Sequence, residues 1–161
     1  MSNPEPTDQG FTLAELLIVI SVFLILMVLV IPVLQQSPRR VNETAAINAL
    51  RTLNDMEGQY SNNYPQLGFA CSLKTLGGKA GTPASPDSAQ LISPDLASGY
   101  NNGYIFTLTG CDPSATQHGS YQITAVPDSV GHTGNRGFCT DENAKIRYDP
   151  NGGTNCTELL R

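Results

Sequence analysis

The feature that most constrains this chain is a continuous apolar stretch at residues 10–34, GFTLAELLIVISVFLILMVLVIPVL. From residue 16 onward it carries no charge, and Ser21 and Pro32 are its only polar or helix-disrupting residues. At 1.5 Å per residue, a helix over residues 11–31 is about 31 Å long, close to the hydrocarbon thickness of a bilayer. The sequence therefore predicts a helix that is apolar on every face and is surrounded by lipid or by other helices.

One carboxylate, Glu15, lies near the start of this stretch. An ionised group at membrane depth is costly unless it has a partner. Two interpretations follow. Either Glu15 lies at the headgroup level of an ordinary anchor helix, or it pairs with a cation inside an assembly.

Residues 10–20, GFTLAELLIVI, resemble the processing motif of type IV prepilins and of the pseudopilins of type II secretion. The resemblance implies that a prepilin peptidase cleaves between Gly10 and Phe11 and that the new N-terminal Phe11 is N-methylated. It also implies a long spine helix that packs into a filament core and is often bent at a proline corresponding to Pro32. Glu15 then holds the family's characteristic place, five residues into the mature chain.

The chemistry of this motif is consistent with processing and assembly. Gly10 has no side chain, so a protease can approach its carbonyl closely. Cleavage leaves an α-amino group on Phe11, which is a cation near neutral pH. When helices stack, the Glu15 carboxylate of one subunit can neutralise the Phe11 amine of its neighbour, and an unpaired charge there is heavily penalised. Glu15, Phe11 and Pro32 are therefore the predicted assembly residues.

The predicted leader, residues 1–10, is short and polar and lacks the basic start and apolar core of a secretory signal. Its removal takes Glu5 and Asp8 away and changes the formal net charge from -5 to -3. Neither value suggests nucleic-acid binding, which requires a basic face. No nucleic-acid partner is expected.

The sequence gives conflicting indications of the side of the membrane on which the C-terminal region lies. Arg39, Arg40 and Arg51 follow the predicted span, and basic residues normally remain on the cytoplasmic side. The leader also lacks the basic residue that prepilin leaders usually carry. The processing motif and the cysteines favour a C-terminal region outside the cytoplasm, and this is the orientation we predict.

Residues 35–61 are predicted to continue the helix, because a proline such as Pro32 bends a long helix rather than ending it. Pro38 is a second possible kink. From residue 42 the pattern becomes amphipathic, with one face for a β-sheet and one for solvent or a neighbouring subunit. The apolar positions are Ala46, Ala49, Leu50, Leu53, Met56 and Tyr60, and the polar positions are Asn48, Arg51, Asn54, Asp55 and Glu57.

Residues 62–161 are predicted to form one globular extracytoplasmic domain with a small antiparallel sheet. Glycine and proline punctuate residues 62–102, where only residues 72–76 and 88–92 could form helical turns. Four segments read as strands from their β-branched and aromatic content, residues 103–109, 120–126, 136–140 and 145–148. The predicted fold class is therefore α+β, with a long N-terminal helix packed on the sheet.

Alternation in the last strand assigns its side chains to two faces. Ile146 and Tyr148 are predicted to point one way, and Lys145, Arg147 and Asp149 the other, as in a half-buried strand. The turn at Pro150 follows, and then the C-terminal tail.

Four cysteines follow the apolar stretch, with no C-x-x-C pair and no neighbouring histidine in the sequence, so a zinc site is poorly supported. An even count in a small extracytoplasmic domain predicts two disulfides. The pairing Cys71–Cys111 with Cys139–Cys156 is one of three connectivities, and the sequence does not choose among them.

The sequence contains no pattern of catalytic residues, and we expect no enzyme activity and no cofactor. His118 and His132 lie in glycine-rich loops and are predicted to be solvated. Asp141, Glu142 and Asp149 gather oxygen ligands of the kind that calcium prefers, and the resemblance to the major pseudopilin makes calcium an alternative. Their spacing fits no calcium loop, and acidic residues at a turn are ordinary turn chemistry.

These observations predict a structural subunit that polymerises through its N-terminal helix into a type IV pilus. A pseudopilin of type II secretion is the first alternative, and a membrane-anchored binding protein that never polymerises is the second. The expected partners are further copies of the chain in a helical filament, the prepilin peptidase, the inner membrane and the assembly machinery. The predicted location is the inner membrane before assembly and an extracytoplasmic filament afterwards.

Overall fold

The computed structural model describes residues 12–79, 81–112 and 114–160, except for the side chains of residues 28–37. The chain divides into two units, Met1–Ser37 and Pro38–Arg161. The predicted leader, residues 1–10, and Phe11 lie outside the described residues.

Helix α1 spans Leu13–Asn63 and includes both prolines of the predicted spine. A proline removes one backbone hydrogen bond, yet neither Pro32 nor Pro38 ends the helix. The prediction of a single helix through both positions is therefore correct.

The predicted membrane span, residues 11–34, is only partly described, because Phe11 and the side chains of residues 28–37 are not. Among the residues that are described, no helix has an apolar stretch long enough to cross a bilayer.

The second unit contains a six-stranded antiparallel sheet whose strands follow one another in chain order. The strands are β1 (Tyr100–Asn101), β2 (Tyr104–Thr109), β3 (Gln122–Pro127), β4 (Gly137–Asp141), β5 (Arg147–Asp149) and β6 (Glu158–Leu159). The four predicted strands correspond to β2 through β5. Strands β1 and β6 were missed, because two residues are too short to show an alternating pattern.

The core lies between the sheet and the part of α1 that belongs to the second unit. Strand β2 alternates between buried and exposed residues along its length, and Ile123 and Ala125 of β3 are fully buried. Leu50 and Leu53 of α1 are also fully buried. The predicted α+β architecture, with the helix packed on the sheet, is therefore correct. The core also includes Ala46, Tyr60, Leu76, Leu96, Tyr104, Phe106, Leu108, Tyr121 and Phe138.

The connection before the sheet differs from the prediction. Helix α2 (Leu73–Gly77) occupies the first predicted turn, and Ser72 caps it by accepting a hydrogen bond from the Thr75 amide. The second predicted turn, residues 88–92, is not helical. The helix instead forms at α3 (Pro94–Ala97), because Pro94 occupies the first helical position after the cap Ser93.

Two predictions of side-chain direction were wrong. Glu57 was assigned to the polar face of α1, yet it is fully buried, because the loop that follows α1 folds over it and donates an amide to it. Asp149 was assigned to the outer face of β5, yet it is buried, because its carboxylate accepts hydrogen bonds from the amides of Asn151 and Asn155.

The loop after α1 is joined to the loop before β3 by backbone contacts. The His118 amide donates to the Leu67 carbonyl at 2.7 Å, and the Phe69 amide donates to the His118 carbonyl at 2.9 Å. Between these two contacts Gly68 has a φ of 78°, and a Cβ on it would lie 2.2 Å from the His118 carbonyl oxygen. A glycine is therefore required at this position for two reasons.

We predict that Gly68→Ala lowers the free energy of unfolding by about 2–4 kcal/mol, from backbone strain together with loss of the two hydrogen bonds. Gly81→Ala is the matched control, since Gly81 has a φ of 82° but open space around its Cβ position. It should cost about 1 kcal/mol from strain alone. Chemical denaturation of the full-length protein in detergent measures both, and equal losses would contradict the role of the His118 contact.

Candidate functional site

The N-terminus of α1 is closed by a reciprocal pair of side chains. The Glu15 carboxylate accepts the Thr12 amide at 2.9 Å and the Thr12 hydroxyl at 2.7 Å, and the Thr12 hydroxyl accepts the Glu15 amide at 3.3 Å. This is a capping box, which satisfies donors that a helix start otherwise leaves free. The pattern T-x-x-E could have identified Thr12 from the sequence.

The turns of α1 that follow expose apolar side chains in every direction. Leu13, Ile18 and Phe23 are 78, 64 and 61 % exposed. Ser21, the one polar side chain between Glu15 and Met27, donates its hydroxyl to the Leu17 carbonyl and is thereby satisfied within the helix. An apolar surface of this extent marks a site of contact with lipid or protein. The other exposed members are Leu16, Leu17, Val19, Ile20, Val22, Leu24, Ile25, Leu26 and Met27.

The remaining predicted residues of this segment are less fully described. The cleavage site, Gly10 and Phe11, lies outside the described residues. Pro32 belongs to α1, but its side chain also lies outside them.

Two disulfides stabilise the domain. Cys71 pairs with Cys111, and Cys139 pairs with Cys156. The first joins the segment before α2 to the end of β2, and the second joins β4 to the C-terminal tail. Of the three connectivities open to the sequence, the structure contains this one.

His118 lies beside the first disulfide. One of its ring nitrogens and the Sγ atoms of Cys71 and Cys111 lie within 4.8 Å of one another. Its Nδ1 atom is buried and has no hydrogen-bond partner among the described residues. His118 is half-buried and not a solvated loop residue as predicted. It lies 47 residues after Cys71 and 7 after Cys111 in the chain, so only folding brings it beside both.

A second loop is attached to α1 by a salt bridge. Glu43 is buried, and its Oε2 atom accepts two hydrogen bonds from the Arg136 guanidinium, at 2.9 and 2.7 Å. Its Oε1 atom accepts the amides of Asn135 and Arg136. The guanidinium also lies over the rings of Phe138 and Tyr148. The sequence analysis missed this pair, because no sequence pattern links residues about 90 positions apart.

Of the buried carboxylates Glu43, Glu57 and Asp149, Glu57 accepts the fewest hydrogen bonds to replace its lost hydration. Its Oε2 atom accepts the Ala70 amide at 2.8 Å, while Oε1 has no partner among the described residues. Burial raises the pKa of Glu57 to about 8, and the Ala70 hydrogen bond opposes this rise only in part. The folded protein therefore binds a proton at Glu57 more tightly than the unfolded chain does.

The three carboxylates considered for calcium do not form a joint site. Asp149 is buried and directed at the amides of the following turn, and Asp141 accepts the Asn143 amide. Glu142 is exposed. Within the described part of the chain, Asp141, Glu142 and Asp149 are not among the residues whose potential ligand atoms come together.

Comparison with known families supports the interpretation of the N-terminal segment. Residues 6–31 match the family model described as the prokaryotic N-terminal methylation motif, the signature of type IV pilins and pseudopilins. The match confirms the predicted resemblance and indicates a type IV pilin-like or pseudopilin protein. It implies processing by a prepilin peptidase and assembly into pilus or secretion machinery. Comparison with curated proteins and with solved structures finds no match.

We predict that the stability of the domain falls as the pH rises from 4.5 to 8. In this range the folded protein binds one proton more than the unfolded chain, because Glu57 ionises near 4.5 when exposed and near 8 when buried. The slope from this group is at most about 1.4 kcal/mol per pH unit. Glu57→Gln should remove the slope and raise the stability above pH 8.

Thermal denaturation of the full-length protein in detergent between pH 4.5 and 9 measures this slope. The control is Glu142→Gln, which changes an exposed carboxylate and should leave the wild-type slope in place. A slope that persists in Glu57→Gln would contradict the assignment.

Proposed function

We propose that this protein is a structural subunit that polymerises through its N-terminal helix into a type IV pilus. The observation that carries the proposal is the helix segment at residues 13–27, whose apolar side chains are exposed on every face. Since water is a poor solvent for such a surface, it requires a second environment, first the bilayer and then the helices of neighbouring subunits. The methylation motif at residues 6–31 supports the same proposal.

Glu15 gives the assembly its axial register in this proposal. In the single chain its carboxylate is held by Thr12. Cleavage after Gly10 would place the Phe11 amine one residue before this capping box. The Glu15 carboxylate retains acceptor capacity, because a carboxylate offers about four lone-pair sites. A neighbouring Phe11 amine then neutralises it, and a subunit docked at the wrong height leaves both charges unpaired.

The second unit is the exported domain of the subunit. Two disulfides are typical of domains that work outside the cytoplasm, where thiols are not kept reduced. Its function is to present a surface on the filament, and we propose neither an enzyme activity nor a bound cofactor for it. A pilus subunit is preferred to a pseudopilin because the disulfide-bonded C-terminal region is more pilin-like.

We predict that the charge of Glu15, rather than its capping role, is needed for assembly. Glu15→Gln keeps an oxygen that accepts the Thr12 amide but removes the charge, and it should reduce recovered filaments at least about tenfold, since a lost ion pair in this setting costs over 1.4 kcal/mol. Thr12→Ala breaks the cap and keeps the charge, and it should still assemble. Filaments sheared from the native cell surface provide the measurement.

Each outcome separates the candidate functions. If Glu15→Gln assembles normally while Thr12→Ala fails, capping is the role of Glu15 and the charge-pairing mechanism is wrong. If neither variant nor the wild type yields filaments, the non-polymerising anchored protein is favoured. If the wild-type protein forms no surface filament but deletion of its gene abolishes export of other proteins, the pseudopilin assignment replaces the pilus assignment.

A further inference from the structure

The exposed side of α1 near the start of the second unit carries positive charge. Arg40 is exposed there. Glu43 is the one acidic residue in the range 38–54, and it is buried and paired with Arg136. Val41, which follows Arg40, is apolar and 61 % exposed. We call the side chains that line the groove of about 410 Å³ at this place the basic face, and they are those of Arg40, Val41, Thr44, Ala45 and Asn48.

The basic face is available to another molecule. Its residues recur at helical spacing and so lie on one side of α1. Ala46 and Leu50 lie on the opposite side and are buried. Among the described residues no salt bridge to Arg40 is found. The basic face thus combines an uncompensated positive charge with an exposed apolar side chain.

A second groove, of about 560 Å³, lies beside strands β5 and β6 and carries negative charge. Arg136 in its lining is paired with Glu43 through two hydrogen bonds. The Glu158 carboxylate accepts the Tyr148 hydroxyl and has no salt bridge among the described residues. Leu159 beside it is 57 % exposed. We call this groove the acidic cleft, and it is lined by Arg136, Tyr148, Glu158, Leu159 and Leu160.

We propose that the basic face of one copy of this chain docks into the acidic cleft of a second copy. The two surfaces are complementary, since each combines one uncompensated charge with an exposed apolar side chain, and the two charges are opposite. In the contact Arg40 lies against Glu158, and Val41 packs on Leu159, which removes apolar surface from water. This inference rests on the filament function proposed above and names the contact between the exported domains.

Both surfaces lie at the same level along α1. Arg136 of the acidic cleft is bonded to Glu43, and Glu43 is within one helical turn of Arg40 and Thr44. Two copies that stand side by side with the same orientation therefore bring the basic face of one level with the acidic cleft of the other. Since the two surfaces differ, the contact is heterologous, and it can continue from copy to copy into a helical array.

The charge pair sets the arrangement of the domains and is not the main driving force for assembly. Exposed ion pairs contribute little by themselves, whereas like charges that are forced together are unfavourable. The apolar segment at residues 13–27 remains the main source of attraction between copies in this arrangement. A filament can therefore form without this contact, so loss of the contact and loss of the filament are different results.

Photo-cross-linking in cells that carry the filament tests the contact. The photoreactive amino acid benzoylphenylalanine replaces Thr44 in the full-length protein, and cross-linked dimers are recovered from sheared filaments, reduced and digested with trypsin. Cleavage after Arg147 gives the peptide of residues 148–161, which contains Glu158 and Leu159. The dimer should contain this peptide joined to the peptide of residues 41–51.

The charges are tested by exchange. Arg40→Glu alone and Glu158→Arg alone should each lower the yield of this cross-link at least about fivefold, because an attraction is replaced with a repulsion. The double variant Arg40→Glu with Glu158→Arg restores an opposite pair, and the yield should return to within about twofold of the wild-type yield. In these variants the peptides that are counted begin or end at the changed residue, because trypsin cleaves after arginine.

Two kinds of control accompany these variants. Lys74→Glu and Glu142→Arg make the same changes of charge at exposed residues outside both surfaces, and each should leave the yield within about twofold. Benzoylphenylalanine in place of Thr107, which is exposed on β2, should not be joined to residues 148–161.

The outcomes separate this inference from the proposed function. Filaments that yield no cross-link from position 44 to residues 148–161, or a cross-link only to lipid or to another protein, would overturn the inference and leave the filament function in place. A double variant that does not restore the yield would overturn the inference as well. If the wild-type protein forms no filaments, the proposed function fails, and the inference fails with it.

Discussion

The burial of one face of α1 against the sheet is the constraint on which the rest of the domain depends. Leu50 and Leu53 are fully buried there, together with Tyr104, Ile123 and Phe138 from the strands. Removing apolar surface from water at about 25 cal/mol per Å² is the main favourable term for a domain of this size. The loops contain little regular structure, and they are ordered because this core provides a surface on which they pack.

The polar residues of α1 attach those loops to the core. Glu43 accepts backbone amides at residues 135 and 136, and Glu57 accepts the Ala70 amide. Asn54 donates to the Thr140 hydroxyl and accepts the Tyr121 hydroxyl. Loop segments that make no β-sheet hydrogen bonds thus find hydrogen-bond partners in the side chains of α1, as buried backbone groups require. Burial of the charged form costs more for Glu57 than for Glu43, because Glu43 is paired with Arg136 and no salt bridge to Glu57 is found among the described residues.

The first unit and the second unit meet opposite physical requirements. In residues 13–27 the helix satisfies the backbone and, apart from Glu15 and Ser21, exposes apolar side chains on all sides, which suits an environment without water. The second unit has a closed core and two disulfides, which suit an oxidising aqueous environment. The filament subunit proposed above would need both, and the methylation motif lies at the end where the first requirement applies.

The sequence by itself determined the long helix, the four main strands and the N-terminal methylation motif, because each depends on local periodicity or on adjacent residues. Only the tertiary structure decided the disulfide pairing, the burial of Glu57 and Asp149, the Glu43–Arg136 salt bridge and the position of His118 beside Cys71 and Cys111. These depend on contacts between residues far apart in the chain, or on a loop that closes over a face that local alternation assigns to solvent. Alternation specifies which side of a helix or strand a residue occupies, but the packing of the loops decides whether that side is covered.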